Sequence, residues 1–277
     1  MMEAQQTRLR AMAELETVRA DIQALADNLA RIDLWRPAAG LQKSCEEALR
    51  MMDRLAERFD RKLVVTLVGP CGSGKSTLLN ALAGDDHLSP AGRRRPTTEH
   101  VVAFCRERSD ADQLVDQLGR ETIQVHASEA AETLENVILI DTPDTDSTHQ
   151  DRHIPIIHKA ITLSDVLICV FDAENPKRRD HTDFLAPYVR LFNGESLVVA
   201  VNKCDRLDEA ELTETIMPEF AGYIDAAWSV KPAAVLCVSA RSHLTRPGWE
   251  AHVRPRHARD QFDQLRELIV ETYNRAG

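Results

Sequence analysis

The sequence lacks the features of secreted, disulfide-linked and membrane-spanning proteins. Its six cysteines are scattered singly and form no C-x-x-C pair, so neither a zinc site nor a disulfide framework is indicated. No apolar run approaches the roughly 20 residues needed to cross a bilayer. Residues 1–8 carry charge where a secretion signal needs its apolar segment. These absences favour a reducing, cytosolic compartment.

An excess of positive charge is also lacking. The 277 residues include 44 acidic and 34 basic side chains, which gives a formal net charge of −10. A body of that charge does not attract a phosphate backbone unless it segregates a basic face, so no nucleic-acid partner is expected. Hydrophobic residues make up 43% of the chain, an ordinary share for a protein that buries a core. The length suits one large domain or a domain with a sizeable appendage.

Residues 1–60 carry the apolar spacing of two amphipathic helices. Apolar residues recur at steps of three and four on both sides of a break at residues 35–40, which contain Pro37 and Gly40. The two seams are Leu15, Val18, Ile22, Leu25, Leu29 and Ile32, then Leu41, Cys45, Ala48, Met52, Leu55 and Phe59. This spacing predicts an antiparallel helical hairpin. The hairpin either covers a face of the following domain or belongs to a larger helical bundle, as an assembly or stalk element.

Residues 61–277 alternate between strand-like and helical patterns. The strand-like runs are 63–68, 101–105, 137–140, 166–171, 197–201 and 234–238, and helical stretches lie near 75–83, 153–163, 179–192, 208–228 and 260–275. This alternation predicts an α/β fold, a mostly parallel sheet with helices on both faces. The run 101–105 is expected to be antiparallel, in a ribbon with segments near 122–126 and 137. Residues 107–135 are acidic and are expected to be irregular, and residues 242–259 are expected to form an exposed loop.

A glycine-rich loop joins the first of these strands to a helix. Residues 69–77 read Gly-Pro-Cys-Gly-Ser-Gly-Lys-Ser-Thr, the G-x-x-x-x-G-K-[ST] pattern in its strand–loop–helix context. The glycines let successive N–H groups turn toward a polyphosphate, and the helix start adds its dipole. Lys75 is predicted to supply charge to the outer phosphates, and the Ser76 hydroxyl to hold Mg²⁺. The predicted phosphate contacts are Gly69, Cys71, Gly72, Ser73, Gly74, Lys75, Ser76 and Thr77.

Two further positions are predicted to complete the Mg²⁺ site, and with Lys75 they form the predicted catalytic set. Asp141 follows the buried run 137–140, where a carboxylate facing the phosphate loop holds Mg²⁺, usually through water. Thr98, with Thr97 as second choice, lies in a loop that can reach Mg²⁺ and the γ-phosphate and let go after hydrolysis. Three arginines, 93–95, precede it. They are either solvated charge or groups that neutralise transition-state charge, in cis or across a dimer.

The segment Asn202-Lys203-Cys204-Asp205, directly after the run 197–201, indicates which base is bound. The two oxygens of the Asp205 carboxylate match the N1–H and exocyclic amine donors of guanine, and adenine presents no such pair. Asn202 is predicted to contact the other edge of the base and to tie this loop to the phosphate loop, while the Lys203 stem lies over the ring. Such a site should reject ATP. One strand later, a further segment is predicted to bring a backbone N–H to the guanine carbonyl: Ser239, Ala240 and Arg241.

In this order, the motifs resemble the motif set of the P-loop GTPase superfamily over about residues 62–275. The helical hairpin, Arg-Pro-Thr-Thr at 95–98 and Asp-Thr-Pro at 141–143 most resemble bacterial dynamin-like GTPases. The resemblance implies a Ras-like GTPase sheet preceded by bundle or stalk helices, with GTP or GDP and Mg²⁺ as ligands. It also implies nucleotide-dependent homodimerisation through the GTPase domains. Such proteins often remodel membranes, which implies peripheral membrane association through regions not evident in these residues.

The sequence departs from the family pattern in the second switch and in the phosphate loop. Asp144 stands where the family has a glycine whose N–H meets the γ-phosphate, and its side chain is expected to point away. Cys71 and Gly72 stand where dynamins have a Gln/Ser pair, so the cis stabilisation of the transition state is not carried over. No glutamine directly follows Asp144 to orient water. His149 and His153 are the nearby alternatives.

Three functions are weighed on these motifs. The favoured one is a Mg²⁺-dependent GTPase that cleaves the β–γ bond of GTP by in-line attack of water and works faster when two GTPase domains pair. The alternative is a GTP- and GDP-responsive regulatory module with negligible hydrolysis, for which Asp144 and the absent glutamine are the motivation. The third is an RNA-binding ribosome-assembly GTPase, and the acidic charge and lack of a recognisable RNA module argue against it.

Overall fold

A computed structural model describes residues 2–32, 35, 37–60, 62–89, 100–128, 134–145, 150–249 and 254–273 of the chain. The polypeptide divides between Lys62 and Leu63 into two compact units. The first unit contains the two N-terminal helices. The second contains a seven-stranded sheet with its helices.

The N-terminal unit is a pair of packed helices, α1 (Met2–Leu29) and α2 (Ala38–Asp60). Leu29 at the end of α1 is buried in a small cluster with Ala38 at the start of α2 and with Cys45. Further along, Arg19 Nε donates to Asp53 Oδ1 at 2.8 Å. Because the end of α1 meets the start of α2, and earlier residues of α1 meet later residues of α2, the two helices run antiparallel.

Part of the predicted apolar seam is not buried. Val18, Leu25 and Ile32 are 50%, 52% and 45% exposed, and Leu41 in the second seam is 45% exposed. Ala26 is buried instead. A helix meets a single partner along a single stripe, and the predicted seam combined two neighbouring stripes of large apolar residues. The prediction was therefore wrong for these four positions.

Seven strands form one sheet in the order β3-β2-β4-β1-β5-β6-β7. The strands are β1 (Leu63–Val68), β2 (Val101–Cys105), β3 (Ile123–Ala127), β4 (Val137–Asp141), β5 (Val166–Asp172), β6 (Leu197–Asn202) and β7 (Ala234–Val238). Neighbouring strands are parallel except for β2 and β4. The predicted mostly parallel sheet is confirmed, and β2 is antiparallel to β4 as predicted. The predicted antiparallel ribbon is wrong for the segment near 122–126, because β3 pairs with β2 in parallel. Because the carboxyl ends of β1, β4, β5, β6 and β7 share one edge, the loops that follow them meet there.

Helices cover both faces of this sheet, as the sequence predicts. They are α3 (Lys75–Ala83), α4 (Asp112–Leu118), α5 (Gln150–Thr162), α6 (Arg179–Val189), α7 (Glu209–Glu211), α8 (Met217–Ala227) and α9 (Phe262–Glu267). Val65 and Leu67 of β1 pack on the side of α3 and α9. Val64 faces α4 and α5, and Val68 faces α5, α6 and α8. This alternation along one strand is why β1 is apolar almost throughout. Within the described chain, no helix is both long enough and apolar enough to span a membrane.

Residues 107–135 contain more regular structure than their acidic composition indicates. A 3₁₀ turn (Arg108–Ala111), α4 and β3 all lie in this segment. Helix α4 has seven residues, places Asp112 in its first turn and buries Leu114 and Leu118. An acidic residue in a first helical turn is favourable because it faces the positive end of the helix dipole. The expectation of an irregular segment was therefore wrong for these residues.

Candidate functional site

The phosphate loop joins β1 to α3 at the carboxyl edge of the sheet. Ser73, in its middle, is buried, and its hydroxyl donates to Pro70 O at 2.9 Å. Gly74, directly before α3, has a φ of 89°, which residues with a Cβ rarely adopt. A Cβ at Gly74 would also lie 2.3 Å from Asn202 Nδ2. The loop thus requires glycine here both for its backbone and for its neighbour. The other predicted phosphate contacts lie in the same loop and in the first turn of α3: Gly69, Cys71, Gly72, Lys75, Ser76 and Thr77.

Asn202 fastens the end of β6 to the phosphate loop. Its Nδ2 donates to Ser73 O at 2.9 Å and to Gly74 O at 3.4 Å. Its Oδ1 accepts the N–H of Lys203 at 2.9 Å and that of Ala240 at 3.1 Å. One buried amide therefore joins three segments, and this is the tie between the two loops expected from the sequence. The predicted contact of Asn202 with the edge of the base stays a prediction.

Asp205 is buried beside this tie, in the 3₁₀ turn Cys204–Arg206. Its Oδ2 accepts no hydrogen bond from the residues that the structure describes. Two hydrogen bonds join this turn to residues 256–259. The Arg256 N–H donates to Asp205 O at 2.7 Å, and Cys204 Sγ donates to Arg259 O at 3.5 Å. A buried carboxylate oxygen without a donor is costly. A ligand that offers hydrogen-bond donors would remove this cost.

Lys203 has a φ of 69°, the only positive φ of a non-glycine residue in the described ranges. Its ammonium is paired with the carboxylate of Asp172, which ends β5. The two side chains are partly buried, at 18% and 22% exposed. The pair links the ends of β5 and β6 and fixes the course of the lysine stem that is predicted to cover the base.

The second predicted base-contacting segment directly follows β7. Within it, the Ala240 N–H donates to Asn202 Oδ1, and the Ser239 hydroxyl lies 2.7 Å from that of Ser242. Arg241 donates from Nε and a terminal nitrogen to the carbonyls of residues 247 and 248, at 2.7 Å and 2.6 Å. The Arg241 side chain is therefore used to fold the segment 240–248. The predicted contact between a backbone N–H of this segment and the guanine carbonyl stays a prediction.

Ser76 and Asp141, two of the predicted Mg²⁺ ligands, lie in contact. Ser76 Oγ donates to Asp141 Oδ2 at 2.6 Å, and Ser89 Oγ donates to the same oxygen at 2.7 Å. Asp141 Oδ1 is buried and accepts no hydrogen bond within the described part of the chain. Burial raises the pKa of Asp141, against the opposing effects of the Lys75 charge and the two hydroxyls. A hydrated divalent cation would satisfy the second oxygen and favour the ionised carboxylate, so these residues fit Mg²⁺.

Lys75 is paired with an unexpected partner. Its Nζ donates to Asp144 Oδ1 at 2.6 Å, and the two side chains are 3% and 6% exposed. The expectation that the Asp144 side chain points away from the phosphate loop is therefore wrong. The physical reason is that a buried ammonium needs an anion, and Asp144 places a carboxylate within reach of it.

Sequence reasoning did not single out Ser89, Asp172 or the residues that support the 204–206 turn. Asp172 ends β5 just as Asp141 ends β4, and this shared position could have revealed it. Ser89 offers no comparable local signal. The predicted switch residues Thr97 and Thr98, the arginines 93–95 and His149 lie outside the described residues. His153 is buried in α5.

The sequence is similar to known GTP-binding proteins. The family model described as the elongation factor Tu GTP-binding domain matches residues 60–274. The chain is 27% identical over 192 residues to the chloroplastic FZO-like GTPase of Arabidopsis thaliana. The aligned residues cover 67% of this chain and 19% of that protein.

Two solved structures of bacterial dynamins have a similar fold. One comes from an oligomerised bacterial dynamin pair, with a TM-score of 0.55 and 16% identity over 96% of this chain and 43% of that one. The other is the LeoA bacterial dynamin GTPase from ETEC, with a TM-score of 0.53 and 14% identity over 99% of this chain and 45% of that one. The chain thus spans about a fifth of the curated relative and less than half of either solved structure.

Proposed function

The chain belongs to the family of elongation factor Tu GTP-binding domains, and from that premise we propose that it binds GTP and GDP with Mg²⁺ and hydrolyses GTP to GDP and phosphate. The observation that carries the proposal is the Asp205 carboxylate. It is buried in the base loop, residues 202–205, and its Oδ2 has no donor among the described residues. Guanine offers two adjacent donors, N1–H and the exocyclic amine, to the two carboxylate oxygens.

The phosphate end of the site supports the same ligand. Backbone N–H groups of the loop and the N-terminus of α3 favour anions, and Lys75 supplies a buried positive charge. Ser76 and Asp141 would hold Mg²⁺, with Thr98 proposed as the ligand from the switch loop. Held there, Mg²⁺ would supply positive charge against the negative charge that develops on the phosphates during hydrolysis. The protein's part in hydrolysis is then to position the phosphates and neutralise their charge.

A nucleotide panel on Asp205→Asn tests this proposal. The substitution turns one acceptor into a donor, so we expect the affinity for GDP to fall by about a hundredfold or more. Xanthosine diphosphate should gain affinity, because its 2-carbonyl accepts a hydrogen bond. Calorimetry with GDP, ADP and xanthosine diphosphate, with and without Mg²⁺, measures this. Asp225→Asn, which removes an exposed carboxylate on α8, is the control. ADP binding to the native chain as tightly as GDP would contradict the proposal.

A second function, a GTP- and GDP-responsive regulatory module with negligible hydrolysis, is favoured by one observation. Asp144 replaces the family's glycine and forms an ion pair with Lys75. Lys75 is the lysine that would otherwise bind the phosphates during catalysis. A single-turnover assay with excess protein separates the two functions. Hydrolysis of bound GTP faster than in buffer identifies the enzyme, and hydrolysis at the buffer rate identifies the module.

We further propose that residues 1–60 form a bundle-like or stalk-like element and residues 61–277 the GTPase domain. Support comes from the division of the described chain at Lys62 and from the exposed apolar residues Val18 and Leu25 on α1, which a larger bundle would cover. We also propose that the GTPase domains pair when nucleotide is bound, and that any membrane association is peripheral.

A further inference from the structure

Lys75, at the end of the phosphate loop, forms a buried ion pair with Asp144, which follows β4. Asp144 Oδ1 accepts from Lys75 Nζ at 2.6 Å, and the two side chains are 6% and 3% exposed. A longer contact, 3.5 Å, joins the same ammonium to Pro70 O. The carboxylate is thus the closer of these two partners and the one that carries charge.

The backbone around Asp144 is fastened to β1 and the phosphate loop. Thr142 donates to Leu67 O from its N–H at 3.3 Å and from Oγ1 at 2.9 Å. The Thr145 N–H donates to Gly69 O at 3.4 Å. These contacts hold the carboxylate beside the ammonium on a short tether, so it competes for Lys75 at a high effective concentration.

The carboxylate and the terminal phosphate of GTP need the same ammonium. In GTP-binding loops of this kind the lysine serves the β- and γ-phosphates, and GDP brings only the first of them. An ammonium has three donors, so it can serve a β-phosphate and a carboxylate together. A γ-phosphate would instead bring further negative charge next to a buried carboxylate, where solvent screens repulsion weakly.

We propose that Asp144 determines the preference of this site between GDP and GTP. Its carboxylate occupies the place of the terminal phosphate at Lys75 when GDP is bound, and the γ-phosphate of GTP expels it. The inference rests on the proposed function and assigns to Asp144 a specificity-determining role within it.

Affinities of the full chain for GDP and for guanosine 5′-(β,γ-imido)triphosphate, measured by calorimetry with Mg²⁺, test the proposal. The native chain should bind GDP more tightly than the imido analogue. Asp144→Gly and Asp144→Asn should each raise the affinity for the analogue by about tenfold to a hundredfold. The affinity for GDP should change by less than about threefold, so the ratio of the two constants is the readout.

Asp183→Asn is the matched control, since Asp183 is 70% exposed on α6 and its loss changes the net charge equally. For this variant, the ratio of the affinity for GDP to that for the imido analogue should equal the ratio of the native chain. An unchanged ratio in both Asp144 variants, or an equal gain for both nucleotides, overturns the inference and leaves the proposed function standing. Failure of the native chain to bind either nucleotide overturns both. Asp144→Asn keeps the size of the side chain, and thermal melting of each variant establishes that it is folded.

Discussion

Asn202 lies so close to Gly74 that a Cβ does not fit at position 74. The Asn202 amide occupies the space where a Gly74 Cβ would lie, 2.3 Å away, and donates to the Gly74 carbonyl. The base loop and the phosphate loop are therefore aligned through one contact between residues 128 positions apart. A site that must hold a base and a phosphate tail together depends on such alignment.

Gly74→Ala should break this alignment. The new Cβ strains a backbone at φ 89° and displaces the Asn202 amide, so we expect GDP affinity to fall by at least about tenfold and the free energy of unfolding by about 2 kcal/mol. Gly84→Ala is the control, because Gly84 also has a positive φ, 71°, but nothing lies within 4 Å of its Cβ position. It should lose about 1 kcal/mol of stability with GDP affinity unchanged. Equal loss of affinity in both variants would attribute the effect to backbone strain alone.

At the scale of single elements, α6 places a histidine against the sheet. The His181 ring lies 4.6 Å, centroid to centroid, from that of Phe171 on β5 and is 2% exposed. Neither ring nitrogen has a hydrogen-bond partner among the described residues. Burial, helped by the positive charges of Lys75 and Arg178, lowers the pKa of His181 to about 3. The fold therefore holds this imidazole neutral.

Stability should fall in mild acid because of His181. The unfolded chain binds a proton at this residue below its ordinary pKa of 6.5, whereas the folded chain does so only near pH 3. Lowering the pH from 7 to 5 should thus cost about 2 kcal/mol of unfolding free energy through this one group. Urea unfolding of the native chain and His181→Phe at pH 7, 6 and 5 measures the difference. His158→Phe, at an exposed histidine of α5, is the control. Identical pH slopes in the native chain and His181→Phe would contradict the assignment.

The order of the helices and strands could be predicted from the sequence. The side-chain contacts between neighbouring elements could not. Strands β1, β5 and β6 are short apolar runs buried on both faces, and such runs are visible locally. Which stripe of α1 meets α2 depends on the partner helix, so Val18 and Leu25 were assigned to the contact while Ala26 makes it. Periodicity identifies a helix but does not choose between two neighbouring apolar stripes.

The same division applies to the site. The Ser76–Asp141 contact and the tie made by Asn202 follow from motifs whose positions at strand ends are local facts. The partner of Lys75 does not, since Asp144 lies 69 residues away and no pattern shows whether its side chain points toward or away from the loop. A substitution inside a motif marks where to look, but the direction of its side chain has to be observed.

At the scale of the whole molecule, charge opposes the association of two copies. Each chain carries a formal net charge of −10, and like-charged bodies repel over about one Debye length, roughly 8 Å at physiological ionic strength. The proposed pairing of GTPase domains would therefore have to overcome this repulsion through local contacts formed with nucleotide bound. Added salt should weaken the repulsion and favour the pair.

If pairing supplies a group that the isolated domain lacks, GTP turnover per molecule should depend on protein concentration. With GTP and Mg²⁺ saturating, we expect the rate per molecule to rise by at least about tenfold from the lowest concentration to its plateau, since a missing charge-neutralising group costs far more than that. Salt screens the repulsion between chains of charge −10. A higher salt concentration should therefore move the midpoint of the increase in rate to a lower protein concentration. Phosphate release measured across a protein dilution series gives both the increase in rate and its midpoint.

Lys75→Ala, which removes the lysine predicted to bind the phosphates, is the control. It should give no turnover at any concentration, which would exclude a contaminating activity. A rate per molecule that stays constant across the series would show that one domain carries out hydrolysis alone.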